Sequence, residues 1–397
     1  MFEIIRGIAY FKSPLDEKGK NMLTPTSRLE DFPSLENRTY LNTAAEGIPP
    51  LAVIDALSQY GQDKLLGMDG RKLHEARWEE TKKQAARIYN LTPEEIGICS
   101  CTSEAYNLAA MALQLQSGDE VIINDLDFPA GATAWLQPSC PAIAKVWRAR
   151  QGALRIEDLI PLLSPKTRFI TSSLVSFFNG FKIPLAALSQ AVRQHSPALL
   201  AIDVTQALGR IPLDLKDVDL IVSSTHKWIL GSHGGGLVGV PAARAADWTV
   251  PAGGWFNLQD PFQNRNFDRV ASKPGAESFS VGMPNYAAVY AAHAGLNYIQ
   301  STGVETIARH ADPLVQTCLE GLKTLAVELL TPDEADALAG IVAIRHPQAE
   351  RIHQILHEKD IHIMYHAGRL RISIHGYNTP ADIEHLLQTL EEALAQI

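Results

Sequence analysis

Between residues 75 and 240 the chain alternates helix-like and strand-like segments, and this alternation constrains the fold more than any other feature of the sequence. HEARWEETKKQAARIYN carries apolar residues at helical spacing and stops at Asn90 and the turn TPEE, after which IGICS reads as a buried strand. SEAYNLAAMALQL is helical, EVIINDL is a strand after the Gly118-Asp119 turn, and TRFITSSLV is another. PLAALSQAVRQHS is a helix, and ALLAIDV, DLIVSST and GGLVGV are strands. Strands separated by helices need right-handed crossovers, which build a mostly parallel sheet covered on both faces. The expected fold class is therefore α/β, with ligands bound beyond the carboxyl ends of the strands.

The pattern changes after PNYAAVYAAHAGLNYIQSTG, a long apolar helix. GIVAIRH, QAERIHQILHEK, RLRISIH and a last helix follow, which predicts a separate C-terminal α+β unit. The expected division is a large domain over 41–290 and a small one from 1–40 and 291–397. The 397 residues, 46% of them hydrophobic, are enough for both. A net charge of -9, from 35 basic and 44 acidic residues with no basic run, argues against nucleic acid and for a small-molecule substrate. Four scattered cysteines make neither a disulfide framework nor a zinc site. No export signal and no membrane span is read at the N-terminus, so the expected location is cytoplasmic.

Four strand ends carry the candidate chemistry: Asp203 ends ALLAIDV, Lys227 ends DLIVSSTHK, Thr102 and Ser103 follow IGICS, and Asp127 with Phe128 follow EVIINDL. A lysine desolvated in a crevice, under positive charge from a neighbour such as His226, has a lowered pKa and becomes a Schiff-base nucleophile. Asp203 is placed to hold a protonated ring nitrogen. A lysine for the aldehyde and an acid for the pyridinium nitrogen is the pairing that pyridoxal 5'-phosphate needs. Thr102 and Ser103 at a helix N-terminus offer an anion site for its phosphate, and Ser224 and His226 add donors. Each residue also has an ordinary alternative. Lys227 could be a solvated strand end, Asp203, Thr102 and Ser103 could be helix caps, and Phe128 could be plain core.

Taken together, these segments resemble the class V branch of the fold-type I pyridoxal-phosphate enzymes, the group of cysteine desulfurases, kynureninase and isopenicillin N epimerase. YLNTAAEGIPP is similar to that family's N-terminal signature, AIDVTQALGRIPLDL to its Asp-x-x-Gln segment, and SSTHKW to its lysine segment. PGAESFSVGMPN resembles its dimer-contact loop, and GRLRISIHGYNTPADIEHLL its C-terminal arginine strand. The resemblance implies a seven-stranded, mostly parallel sheet and a homodimer with the 253–284 loop reaching across. It gives the catalytic role to Lys227. Asp203 would bind the pyridine nitrogen and Gln206 the ring hydroxyl, with Asn179 a further cofactor contact, while Asn42 and Arg371 would bind the amino acid substrate. Gln206 and Asn179 could equally be turn residues, and Arg371 could belong to a solvent-facing strand side.

Departures from the family pattern narrow the reaction. Phe128 stands where desulfurases carry a histidine, so stacking is kept and an acid/base group is not. EKDIHIMYHAGRLRIS holds no nucleophilic cysteine, which argues against persulfide transfer. Met283 stands where the family's dimer-contact loop usually has a threonine, so the contact to the partner's phosphate is either lost or supplied by Ser278, Ser280 or a backbone amide. The first expectation is an aminotransferase. The alternatives are a lyase that expels a β-substituent, an epimerase, or a non-catalytic scaffold that keeps the fold. Trp255, Phe256, Phe262, Arg265 and Phe267, joined by Trp135 and Tyr365, suggest a pocket for an apolar side chain. The histidines 353, 357, 362 and 366 read as a solvated face, and no metal is expected.

Overall fold

The computed structural model describes residues 22–262 and 269–397, so Arg265 and Phe267 lie outside the described residues. Among the described residues a two-residue strand, β1 (Thr39–Tyr40), comes first. The next seven are β2 (Ile96–Cys99), β3 (Glu120–Asn124), β4 (Ile143–Trp147), β5 (Thr167–Ser173), β6 (Leu199–Asp203), β7 (Leu220–Ser224) and β8 (Gly236–Gly239). They form one sheet in the order β2-β8-β7-β6-β5-β3-β4. Its pairings are parallel except the two made by β8.

Successive residues feed two cores. Leu200 and Ile202 of β6 join a cluster holding Trp147, Trp228 and Leu296, while Ala201 between them joins one holding Trp135, Phe169 and Trp248. A sheet buried on both faces has no solvent side to alternate with, which is why its strands are apolar nearly throughout. The seventh strand, β4, and the helix Pro129–Leu136 are not readable in the sequence. β4 is an edge strand whose residues are mostly half-buried or exposed, and its segment lacks the continuous apolar run of its neighbours.

The remaining strands are β9 (Glu328–Leu329), β10 (Ile341–Arg345), β11 (Ile361–His362), β12 (Met364–His366) and β13 (Arg369–Ser373). β12-β13-β10-β9 make an antiparallel sheet, and β11 pairs in parallel with β1. Leu370 and Ile372 of β13 pack with Leu314, Ile352 and Leu386 of three helices, Val304–Lys323, Ala349–Glu358 and Pro380–Ala395. The opposite face of β13 carries Arg369, Arg371 and Ser373. Among the described residues no helix is long and apolar enough to cross a membrane.

Glycines fix how closely segments meet at the end of β7. Of Gly234, Gly235 and Gly236 only Gly234 has a positive φ, at 83°. A Cβ on Gly235 would lie 2.7 Å from Thr225 Oγ1, and one on Gly236 2.9 Å from Cys99 Sγ. Gly47 is tighter still: its Cβ would stand 2.0 Å from the Lys227 carbonyl oxygen, and its N–H donates to the His226 carbonyl at 2.9 Å. The segment that follows β1 is thus laid directly against the backbone of Lys227.

Candidate active site

Strand register brings the separate motifs to one end of the sheet. Ser224 pairs with Gly236, which pairs in turn with Cys99, so the ends of β7 and β2 lie level. Asp203 at the end of β6 is flanked by Val222 and Ser173 in the same way. Lys227 follows β7 by three residues, and its Nζ stands 5.2 Å from the centroid of the Phe128 ring. That ring is 46% exposed, which removes the core alternative and leaves a flat aromatic face open beside the lysine.

Burial lowers the pKa of Lys227 to about 8, against the pull of Asp203 and Glu46 and with help from Arg371. The expected contribution of His226 is corrected here. Burial first, then the charge of Lys227, drop that imidazole to about 4, so it is neutral at pH 7 and the assisting positive charge is Arg371. Asp203 is buried, which raises its pKa, while its Oδ1 accepts the Thr205 N–H at 2.7 Å. Thr205 also receives the Ser224 N–H on its Oγ1 at 3.0 Å, tying the end of β6 to that of β7. Thr205 is not among the sequence-predicted site residues, whereas Asp127 is placed by the sequence at the end of β3 without a role. Asp127 accepts the Ser173 N–H at 2.7 Å and the Asn124 amide at 2.9 Å, and burial lifts it to about 7.

The capping roles read for Thr102 and Ser103 are also corrected. The helix Thr102–Leu113 is capped by Cys101, whose thiol accepts the Glu104 N–H, so Thr102 and Ser103 occupy its first two positions. Amides there have no partner within the helix. Ser224 Oγ is buried without a partner, an orphan hydroxyl at the same end of the sheet. His226 stacks on His233 at 4.3 Å, and His233 Nε2 lies 3.1 Å from Glu46. Among the described residues Glu46, His226 and His233 are the group whose ligand atoms lie close enough to hold a metal ion.

Asn42 brings its Oδ1, buried and unpartnered, beside β13 through a bridge to Ser373. Gln206 donates its Nε2 to the Ala44 carbonyl at 3.0 Å and accepts the Trp228 indole at 2.6 Å, leaving one amide hydrogen free. Arg371 is 2% exposed, not solvent-facing, and its Nη1 donates to the Phe177 carbonyl at 2.9 Å. Asn179 is not brought to the site. It is fully buried, with Nδ2 on the carbonyls of Gly152 and Leu330 and Oδ1 on the Phe181 N–H, so it presents nothing to Lys227. Ser278 bonds within its own chain to Gly275 and Val250, and Ser280 to Ile98, so neither hydroxyl can serve a partner subunit. Trp135 is core, packed on Phe169 with its indole on the Gly131 carbonyl, and does not line a pocket.

These groups fit pyridoxal phosphate. Ser224 Oγ and the amides at Thr102 and Ser103 match its phosphate, Asp203 its ring nitrogen, the open face of Phe128 its ring, and Lys227, with its pKa lowered to about 8, its aldehyde. The class V aminotransferase family model matches residues 39–386. An uncharacterized aminotransferase of Bacillus subtilis is 26% identical over 368 residues, 90% of this chain and 95% of that protein. A probable cysteine desulfurase of Haemophilus influenzae is 27% identical, over 89% of this chain and 85% of its own. Among solved structures, the apo cysteine desulfurase of Thermococcus onnurineus superposes with a TM-score of 0.84 at 21% identity, covering 94% of this chain and 98% of that one. The cystine C-S lyase C-DES superposes with 0.82 at 22%, covering 91% and 99%. The chain belongs to the class V aminotransferase family, fold-type I enzymes whose cofactor is pyridoxal phosphate.

Proposed function

We propose that the protein removes the α-proton of an amino acid with Lys227 and expels a β-substituent, a lyase outcome that displaces the transaminase expected first. The observation that carries the chemistry is the buried Lys227, within electrostatic reach of both Asp203 and Arg371. Pyridoxal phosphate, when bound, supplies an electron sink for the charge left when a bond at Cα breaks. An amine with a pKa near 8 is a competent base at neutral pH and returns its proton readily. Arg371 would bind the α-carboxylate beside Asn42, and Asp203 would keep the ring nitrogen protonated. Phe128 would hold the ring plane with no second acid/base group, leaving Lys227 to move protons alone. His226, neutral at pH 7, would offer the phosphate a hydrogen bond rather than a charge.

The lyase outcome is supported by the cysteine desulfurases that recur among the relatives. Transfer of sulfur to a thiol in the segment ahead of the arginine strand is not part of it, because no cysteine lies between Glu358 and Arg371. The buried Cys318 thiol is raised to about 12, and Cys99 is raised as well, which makes both inert. A single turnover of cofactor-loaded protein with a panel of amino acids tests the reading. Pyruvate or alanine and a free leaving group, with the cofactor spectrum restored, is the expected result. Stoichiometric conversion of the cofactor to its aminated form would establish a transaminase instead.

A homodimer completes the proposal. Leu65, Leu66 and Met68 are 80%, 55% and 74% exposed, and Met283 is 46% exposed. Apolar side chains this accessible, close together along the chain at the C-terminal end of the helix Leu51–Leu65, suit burial against a second copy.

A further inference from the structure

Arg369 and Arg371 stand two residues apart on β13 and project from one face. They are 4% and 2% exposed. Each donates an Nη1 at 2.9 Å to one of two consecutive carbonyls, Arg369 to Phe178 and Arg371 to Phe177. Both Nε atoms are buried without a partner, and among the described residues neither guanidinium is paired with a carboxylate. Burial alone lowers Arg369 to about 10, and burial with the charge of Arg369 lowers Arg371 to about 9. Two like charges buried side by side without a counterion oppose folding, and they are tolerable where anions are to be received.

The surroundings connect the pair to Lys227. The Phe128 ring lies 5.2 Å from Lys227 Nζ, Phe177 meets Phe128 edge-on at 5.1 Å, and the Arg369 guanidinium carbon is 5.4 Å from Phe177 and 4.2 Å from Phe178. The aromatic wall of the crevice thus runs from the lysine to the second arginine. One guanidinium suffices for an α-carboxylate, and the other is left over. The apolar pocket expected from the sequence has other uses for its aromatics. Phe256 packs edge-on to Trp78 with Lys273 over its ring, and Phe262 is 77% exposed.

We propose that Arg369 is a specificity residue that receives a second oxyanion group at the end of the substrate side chain, so that the substrate is an acidic amino acid. The proposal rests on the reading that the Lys227 crevice takes an amino acid. Phe178 and Phe177 hold the Arg369 guanidinium by cation-π contact and by the carbonyl bond, leaving its Nε edge for the anion. A carboxylate and a sulfinate both satisfy such a fork.

The test is calorimetric titration of the protein, with and without bound cofactor, with glutarate and succinate against butyrate. Rates are then compared for aspartate and cysteine sulfinate, whose β-substituents leave as carbon dioxide and sulfur dioxide, against cysteine, which separates carboxylate from sulfinate and charged from neutral side chains. The dianions should bind about tenfold or more tighter than butyrate, the worth of one charge-assisted bond pair. Arg369→Gln should weaken glutarate about tenfold more than butyrate, and Arg369→Lys should restore part of that difference. Arg371→Gln should weaken both ligands. Equal binding of dianion and monoanion by the wild type would overturn the proposal. So would an Arg369→Gln variant of unchanged melting temperature that loses both ligands alike, since a merely structural role would do that. Failure of the protein to take up cofactor would overturn the enzymatic reading instead, and the dianion preference is still read on the cofactor-free protein.

Discussion

At the scale of single residues the site is an electrostatic balance on Lys227, and the balance has measurable signs. Only the neutral amine attacks the cofactor aldehyde, so the rate of cofactor capture should rise with pH through a midpoint near 8 and level off above it. A solvated lysine would go on rising toward about 10.4. Arg371→Gln removes a neighbouring positive charge and should move the inflection upward. Asp203→Asn removes a neighbouring negative charge and should move it downward. Stopped-flow absorbance across pH reads both, and shifts of the same sign would contradict the charge assignment. Lys227 and Asp203 were legible in the sequence because each ends an unmistakable apolar strand. The buried state of Arg369 was not, because a period of two puts residues on one face without saying whether that face meets water or the other half of the molecule. Likewise, the sequence places His226 beside Lys227 but cannot say that burial keeps it uncharged.

At the scale of elements, the positioning of Lys227 depends on the segment after β1. The near-contact of Gly47 with the Lys227 carbonyl predicts that Gly47→Ala forces a backbone shift costing about 1–3 kcal/mol. Thermal denaturation should show a lower midpoint, and cofactor should dissociate faster than from the wild type. An unaltered midpoint and off-rate would mean the two segments separate freely. The large-sheet strands that are buried on both faces, β5, β6 and β7 among them, announce themselves as apolar runs between helices. The half-exposed edge strand β4 and the helices Leu51–Leu65 and Pro129–Leu136 do not, since packing rather than local pattern fixes them. Asn179 shows the same limit. A family position can suggest a cofactor contact, but only the fold reveals that Gly152, Leu330 and Phe181 already use the whole side chain.

At the scale of the whole molecule, the exposed Leu65, Leu66 and Met68 predict a dimer in solution. A Leu65→Lys, Met68→Lys double variant should shift it toward monomer by light scattering, with weaker cofactor retention. A wild-type monomer that is fully active would refute that assembly. The account as a whole rests on Lys227 being the residue that carries pyridoxal phosphate. Borohydride reduction of the cofactor-loaded protein, followed by digestion and mass spectrometry, tests this most directly. The phosphopyridoxyl group is predicted on Lys227 alone and absent after Lys227→Ala. A label spread over surface lysines, or one that survives the substitution, would contradict the account.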